Sequence, residues 1–221
     1  METRRMLPLS GIAFVVLVVV AIVGLGGSTP GTDDSGAEIA SFYDAHEVRQ
    51  GVAAFVIAAS VPFLVFFATA LADAASLERR WTLSARAAVA GSAVTGAVIL
   101  VIAMIHFALA DGADDVAPGG LEALNMLDNS FWVAFNPALG VMMLGAGATL
   151  VDRATAYRWL GWSAVVLGVA LFIPFADFFA MLLTGLWIIV TSIFLFSQRL
   201  AFAEAPRAEV ASQSPAAGRV P

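Results

Sequence analysis

The amino-acid sequence predicts an all-α protein built as a six-transmembrane-helix bundle. The first observation is composition, because 60% of the residues are hydrophobic, only 13% are charged and the mean hydropathy is +0.89. Soluble domains carry about a quarter charged residues. The second observation is that six apolar runs take up most of the 221 residues. Since a membrane crossing needs about 20 apolar residues, we expect one transmembrane domain over residues 1–200.

The apolar runs define the expected helices. They cover residues 7–25, 51–72, 87–109, 131–151, 159–175 and 178–196. The first run lacks a convincing cleavage site after a short apolar core, so it is predicted to be an uncleaved span. The last two runs are separated only by a tight turn and should form a hairpin. Residues 201–221 lack enough apolar surface to fold alone and are predicted to be a disordered cytoplasmic tail.

Short amphipathic helices are predicted in the two long polar loops. In the first loop, Ser35 and Glu38 have the spacing of a capping box. Apolar and aromatic residues then recur at helical spacing, at Ile39, Phe42, Tyr43 and His46. In the second loop, a Pro-Gly-Gly sequence precedes leucines at helical spacing, namely Leu121, Leu124 and Leu127. We expect this second helix to lie on the membrane surface.

The distribution of arginine predicts the orientation in the membrane. Ten of the eleven arginines lie at the N-terminus, in the connections between helices 2–3 and 4–5, or after the last helix. Positive residues favour the cytoplasmic side, so both termini are expected there. The two long loops would then face outward with most of the acidic residues. Arginine without lysine, together with abundant alanine, glycine and valine, favours a GC-rich bacterial genome and hence a bacterial plasma membrane.

Packing faces can also be predicted from small residues. Ala88, Ser92 and Gly96 lie four residues apart, so they share one face of the third helix. Small side chains allow close approach of two helices. Asp128, Asn129 and Ser130 precede the fourth helix and are candidates for its N-cap.

Three ionisable residues are candidates for a metal site, namely His106, Asp177 and His46. His106 is the only histidine inside a predicted span, and a neutral imidazole could bind a metal or relay protons. Asp177 is expected at the same outer level. Each residue also has a structural interpretation: His106 could meet water or a neighbouring helix, Asp177 could N-cap the last helix, and His46 could contact headgroups. No HExxH motif or comparable spacing supports the metal site.

A cavity is the alternative that the proline residues suggest. Pro62 and Pro137 fall inside predicted spans, and Asn136 lies beside Pro137 about two turns into the fourth helix. Broken helices near the midplane often shape a substrate site in transporters. The structural interpretation is that Asn136 makes a hydrogen bond between helices, an interaction worth about 1 kcal/mol.

The function expected from these features is a non-enzymatic accessory or interaction protein. The sequence contains no catalytic constellation, no phosphate-binding loop and no ionisable residue near the middle of a span. We therefore expect no catalytic residue, no cofactor and no nucleic acid. The expected partners are the lipid bilayer and either another membrane protein or a second copy of the chain. The alternatives are a transporter or permease for a small neutral or apolar solute and, third, a metal-dependent membrane-embedded hydrolase.

Several short segments resemble a group of uncharacterised actinobacterial multipass membrane proteins. They are Pro8-Leu9-Ser10-Gly11, Ser28-Thr29-Pro30, the run from Glu38 to Tyr43 with His46, and Arg158-Trp159-Leu160-Gly161-Trp162. The resemblance covers most of helices 1 to 5. It implies a multipass architecture and a location in the bacterial membrane, and it transfers no activity, cofactor or site residue.

The predicted orientation can be tested with single cysteines, because the chain has none of its own. Asp34→Cys and Asp115→Cys should react with an impermeant maleimide in intact cells, since both loops are expected outside. Ser76→Cys and Ala154→Cys should stay unlabelled until the cells are lysed. The reverse labelling pattern would contradict the orientation.

Overall fold

The computed structural model describes residues 6–74, 81–151 and 157–212, with side chains described as far as residue 197. These ranges are helical throughout, apart from short connections, and they contain no β-strand. The helices are α1 (Leu7–Gly26), α2 (Gly36–Ala74), α3 (Leu83–Asp111), α4 (Pro118–Asn129), α5 (Trp132–Val151), α6 (Arg158–Ala170) and α7 (Asp177–Ser212). The prediction of an all-α chain is confirmed.

Five helical stretches in the described ranges are long and apolar enough to cross a membrane. They are α1, α2, α3, the stretch Pro118–Val151 that joins α4 to α5, and residues Asp177–Ser197 of α7. The sixth predicted span is shorter than expected, because α6 has 13 residues and is followed by turns at residues 171–176. Five apolar helices of this length indicate a membrane protein, and the number of six crossings stays a prediction.

Helix α2 is longer than the sequence predicted. The surface helix expected after Ser35 and the span expected from Gly51 form one continuous helix of 39 residues. Its length of about 58 Å exceeds the roughly 30 Å of a bilayer core, so about half of it can project beyond. The predicted capping box is confirmed, because Ser35 and Glu38 exchange hydrogen bonds through the Ser35 backbone N–H and the Glu38 backbone N–H.

Neighbouring helices run antiparallel, and their order around the bundle is α1, α2, α3, α5, α6 and α7. Trp187 of α7 closes the ring through a 3.0 Å hydrogen bond from Nε1 to the Leu160 carbonyl oxygen of α6. The other neighbours that define the order are Gly11 and Phe67, Gly96 and Val61, Gly145 and Ala88, Gly147 and Gly161, and Gly11 and Ile188. A buried apolar cluster fills the ring, with Leu64, Phe67, Met142, Met143 and Ile188 at its centre.

Close backbone approach joins α3 to α5. Ala88, Ser92 and Gly96 are all buried, which confirms the packing face predicted from small residues. On the opposing helix, a Cβ atom at Gly145 would lie 2.5 Å from the backbone nitrogen of Ala88. Only glycine fits there without moving one helix, so the two backbones can pack at short range.

Helix α4 packs against the rest of the protein through part of its apolar face. Leu121 is buried and Leu124 is half-buried against a second apolar cluster, formed with Ile39, Tyr43 and Leu109. Leu127 is 57% exposed and is the only one of the three predicted leucines that faces outward. The predicted helix in the second loop is therefore present, and two of its leucines hold it against α2 and α3.

Helix α7 continues further than the predicted last span. It is described through Ser212, where the sequence predicted a disordered tail from residue 201. Residues 213–221 lie outside the described ranges.

Candidate functional site

Many polar residues of the described ranges lie at one end of the bundle. Helix α1 ends there, α2 begins there, α3 ends there and α4 lies across it. We call this region the crown and define it as residues 27–50 and 106–131. The chain enters it at Gly27, whose φ of 65° ends α1 and whose N–H donates to the carbonyl oxygen of Ile22. A positive φ favours glycine at this position.

A chain of hydrogen bonds connects four helices at the base of the crown. Gln50 of α2 is completely buried, and its Nε2 donates to the carbonyl oxygen of Gly26 at 2.8 Å. Its Oε1 lies 3.0 Å from Nε2 of His106 in α3. The other ring nitrogen of His106, Nδ1, lies 3.0 Å from Oδ2 of Asp128 in α4. We call these four residues the His106 network.

Each member of the His106 network is placed by a local feature of the sequence. The last carbonyl groups of a helix have no partner within the helix, and α1 ends in π-helical turns at Gly26. Gln50 lies in an uninterrupted stretch of α2, one residue before its long apolar segment. His106 lies about one turn before the end of α3, and Asp128 lies at the end of α4. The side chains of His106 and Asp128 are only 15% and 13% exposed.

An aromatic residue of α2, Tyr43, packs on the His106 network. The Tyr43 ring meets the His106 ring edge-on, with 5.8 Å between centroids. Tyr43 is completely buried, and its hydroxyl has no hydrogen-bond partner among the described residues. One turn further along α2, His46 stacks on Phe42 and bonds through Nδ1 to the Phe42 carbonyl oxygen at 2.7 Å.

Three further hydrogen bonds attach α4 to the first loop. Asn125 Nδ2 donates to the carbonyl oxygen of Gly31 at 2.7 Å, and Asn129 Nδ2 donates to that of Pro30 at 3.1 Å. Glu122 accepts the backbone N–H of Gly36 at 2.8 Å, at the first turn of α2. The two long loops of the sequence are therefore joined to each other by hydrogen bonds.

The prediction that Asp128 and Asn129 cap the following helix is wrong. Both residues belong to α4, which continues through Asn129. Their side chains bond to His106 and to the first loop, as described above. The local rule favoured a cap, whereas contacts with distant parts of the chain determine what these two side chains bind.

The exposed surface of the crown is acidic. Glu38 is fully exposed, and the Ser35 backbone N–H and hydroxyl hold the pKa of its carboxyl below the ordinary value. The other exposed carboxylates of α2, α3, α4 and their loops are Asp33, Asp34, Asp44, Glu47, Asp111, Asp114, Asp115 and Glu122. Arg49 is an exposed basic residue among them.

The three residues considered for a metal site take separate partners. His106 bonds to Asp128 and Gln50, and His46 stacks on Phe42. Asp177 accepts the side-chain Nδ2 of Asn136 at 2.9 Å and the backbone N–H of Phe178 at 2.9 Å. Within the described part of the chain, no group of three or more histidine and carboxylate side chains is arranged to hold a metal ion.

The residues considered for a cavity differ in how far they are buried. Asn136 is 3% exposed and makes the hydrogen bond between helices that its structural interpretation predicts, with Asp177 at the start of α7 as its partner. Its Oδ1 has no partner among the described residues. The side chains of Pro62 and Pro137 are exposed at the outside of the ring.

Sequence reasoning missed Gln50 and the role of Asp128. Gln50 is a polar residue at the edge of an apolar run, and Asp128 lies at the end of a short predicted helix. A buried histidine has two ring nitrogens that need partners, which is a reason to search for them. The partners lie 56 and 22 residues from His106, beyond the reach of local patterns.

Comparison of the chain with protein-family models, with curated proteins and with solved structures found no match. The relationship to actinobacterial membrane proteins therefore stays a prediction.

The contact between α2 and α4 in the crown can be tested at two glycines. A Cβ atom at Gly36 would collide with the backbone of Pro118, whereas nothing lies within 4 Å of a Cβ atom at Gly119. Alanine favours helix over glycine, so only the collision can make Gly36→Ala unfavourable. We expect Gly36→Ala to lower the free energy of unfolding by about 1–3 kcal/mol.

Gly119→Ala is the matched control and should leave the stability unchanged or slightly raised. Thermal unfolding of both variants in the same detergent measures the difference. Equal stability of the two variants would show that α2 and α4 are not in backbone contact.

Proposed function

We propose that the protein is a non-enzymatic accessory protein of the bacterial plasma membrane and that its crown binds a partner protein on the outer side. The observation that carries this proposal is the division of polar residues in the crown. Gln50 and Asn125 are buried and Asp128 is half-buried, and all three side chains make hydrogen bonds inside the protein. The carboxylates outside them are exposed, and among them Asp33, Asp44 and Glu47 lie on the surface of the crown.

The proposed orientation follows from the charges at the two ends of the bundle. Arg86 near the start of α3 and Arg158 at the start of α6 are exposed at the end opposite the crown. Arginine near span ends favours the cytoplasm, which makes that end cytoplasmic and the crown external. Both termini are then cytoplasmic if the chain crosses the membrane six times.

Six crossings require that α6 and α7 together form the last hairpin. Helix α6 rises only about 20 Å, which is less than the roughly 30 Å hydrocarbon core. The turns that follow it carry exposed apolar side chains, including Phe172, Ile173 and Phe175, which is 93% exposed. These side chains suit lipid, so the hairpin can end near the outer boundary of the core rather than in water.

The partner that suits the crown is a protein with a basic and partly apolar surface. The exposed carboxylates supply a negative field that steers a basic partner toward the crown, an effect that salt weakens. Exposed apolar side chains lie among them, with Val48 at 78%, Met126 at 63% and Leu127 at 57% exposure. Apolar contacts inside a charged rim are typical of protein interfaces.

The transporter and hydrolase alternatives have less support from the described contacts than binding at the crown has. Pro62 and Pro137 are exposed, and Asn136 bonds to Asp177. His106, His46 and Asp177 each bond to different residues.

In-cell photo-crosslinking tests the proposed interaction. A photo-reactive residue at position 115 of the crown should give a discrete adduct, whereas the same residue at position 86 at the opposite end should not. Asp111→Arg with Asp114→Arg should lower the adduct several-fold, because a basic partner is then repelled. Asp73→Arg, at the opposite end, should leave it unchanged.

Two results would contradict the proposed interaction. Recovery of the protein only as a monomer, with no adduct at position 115 in cells that express it normally, would exclude a partner at the crown. An adduct that persists after the charge reversal would exclude a basic partner.

A further inference from the structure

We propose that His106 and Asp128 together bind one proton and that this proton holds the crown closed. Each ring nitrogen of His106 faces an oxygen atom rather than an N–H group. Nε2 lies 3.0 Å from an oxygen of Gln50, and Nδ1 lies 3.0 Å from an oxygen of Asp128. A neutral imidazole has a single N–H and cannot donate to both.

The orientation of the Gln50 amide is fixed by its other contact. A backbone carbonyl oxygen only accepts hydrogen bonds, so the group that faces Gly26 at 2.8 Å must be the amide NH₂ of Gln50. The amide oxygen therefore faces His106. Reversing the amide would bring two carbonyl oxygens together in a buried site and would leave the Gly26 carbonyl without its donor.

The number of protons that the two hydrogen bonds of the His106 ring require can be counted. With a carboxylate at Asp128 and a neutral ring at His106, two acceptors share one donor. One added proton from the surrounding solution completes both bonds. It resides either on the ring, as an imidazolium beside a carboxylate, or on the Asp128 carboxyl, which then donates to Nδ1 while Nε2–H donates to Gln50. Both arrangements contain the same single extra proton.

The contacts described for the His106 ring include one carboxyl group, that of Asp128. Helix α4 contributes Asp128, α2 contributes the Tyr43 ring edge and the Gln50 amide, and α1 contributes the Gly26 carbonyl group. Asp128 supplies the carboxyl group that bonds to His106, and its side chain is 13% exposed beside a histidine side chain that is 15% exposed. Tyr43 is the other ionisable residue described in contact with the ring, and it meets the ring by its edge.

Loss of the proton opens one bond of the His106 network. A ring nitrogen with a lone pair then faces an oxygen, and that contact becomes repulsive. Either α4 separates from α3 at Asp128, or α3 separates from α2 at Gln50. The bound proton thus holds α2, α3 and α4 together in the crown, and its release weakens one of these contacts. We call this arrangement the clasp. This inference concerns the inside of the crown and does not depend on the proposed partner.

Magnetic resonance of the full chain in lipid nanodiscs tests the proposal, because the protein has only two histidines. With ¹⁵N-labelled histidine, His46→Gln removes one pair of ring signals and so assigns the other pair to His106. An infrared carboxyl band, absent in Asp128→Asn, reports a proton on Asp128. The titration runs from below about pH 5 to above about pH 8, where histidine changes charge.

The expected result is that the pair gains one proton across this range. The side-chain amide signal of Gln50 should change at the same pH, because its bond to the ring is made or lost with the proton. In Asp128→Asn, the amide of the new side chain can donate to Nδ1, so a neutral ring satisfies every bond. His106 should then stay neutral, with its proton on Nε2, across the whole range.

Two results would overturn the proposal. One is a neutral His106 beside an ionised Asp128 at both ends of the range. The other is a ring in Asp128→Asn that titrates as the native ring does. Hydrogen exchange supplies a separate readout: backbone amides of α4 should exchange roughly two- to tenfold faster at high pH than at low pH after correction for intrinsic exchange, and this difference should vanish in Asp128→Asn. An unchanged ratio in the variant would also contradict the clasp.

Discussion

The hydrogen-bond chain from the Gly26 carbonyl through Gln50 and His106 to Asp128 is the interaction on which the crown depends. Gln50 is completely buried at the edge of an apolar segment, where an unpaired amide would cost several kcal/mol. Its partners must therefore come from other helices. Because these hydrogen bonds connect α1, α2, α3 and α4, satisfying one buried amide also ties the ends of α1, α3 and α4 to the interior of α2. The rest of the crown is built on that arrangement.

Local features of this chain were predictable because they depend on residues a few positions apart. The Ser35–Glu38 capping box, the helix at Pro118–Asn129 and the small-residue face at Ala88, Ser92 and Gly96 follow from short-range spacing. The ends of α2 and α6 were harder to predict. Nothing between His46 and Gly51 breaks a helix, so the surface segment and the span merge, and the apolar residues after Ala170 form turns rather than helix.

The site itself was only partly predictable. His106 stood out as the one histidine in a span, but its partners lie 56 and 22 residues away and came together only through folding. Asp128 satisfied a local rule for capping the next helix and was assigned to it. Tertiary packing of α4 instead turned its carboxylate to His106. The crown thus divides its polar residues between an inside that holds the helices and an acidic outside that is free for contact, and this division supports a role in binding rather than in chemistry.

The most direct measurement of this account is a double-mutant cycle between Gln50→Ala and Asp128→Ala. The two side chains bond to opposite nitrogens of the His106 ring, so that ring connects them directly. Unfolding free energies of the native protein, both single variants and the double variant are compared in one detergent. We expect them to be non-additive by about 0.5–3 kcal/mol, as in a shared network. Additive effects would contradict the claim that one connected network holds the crown.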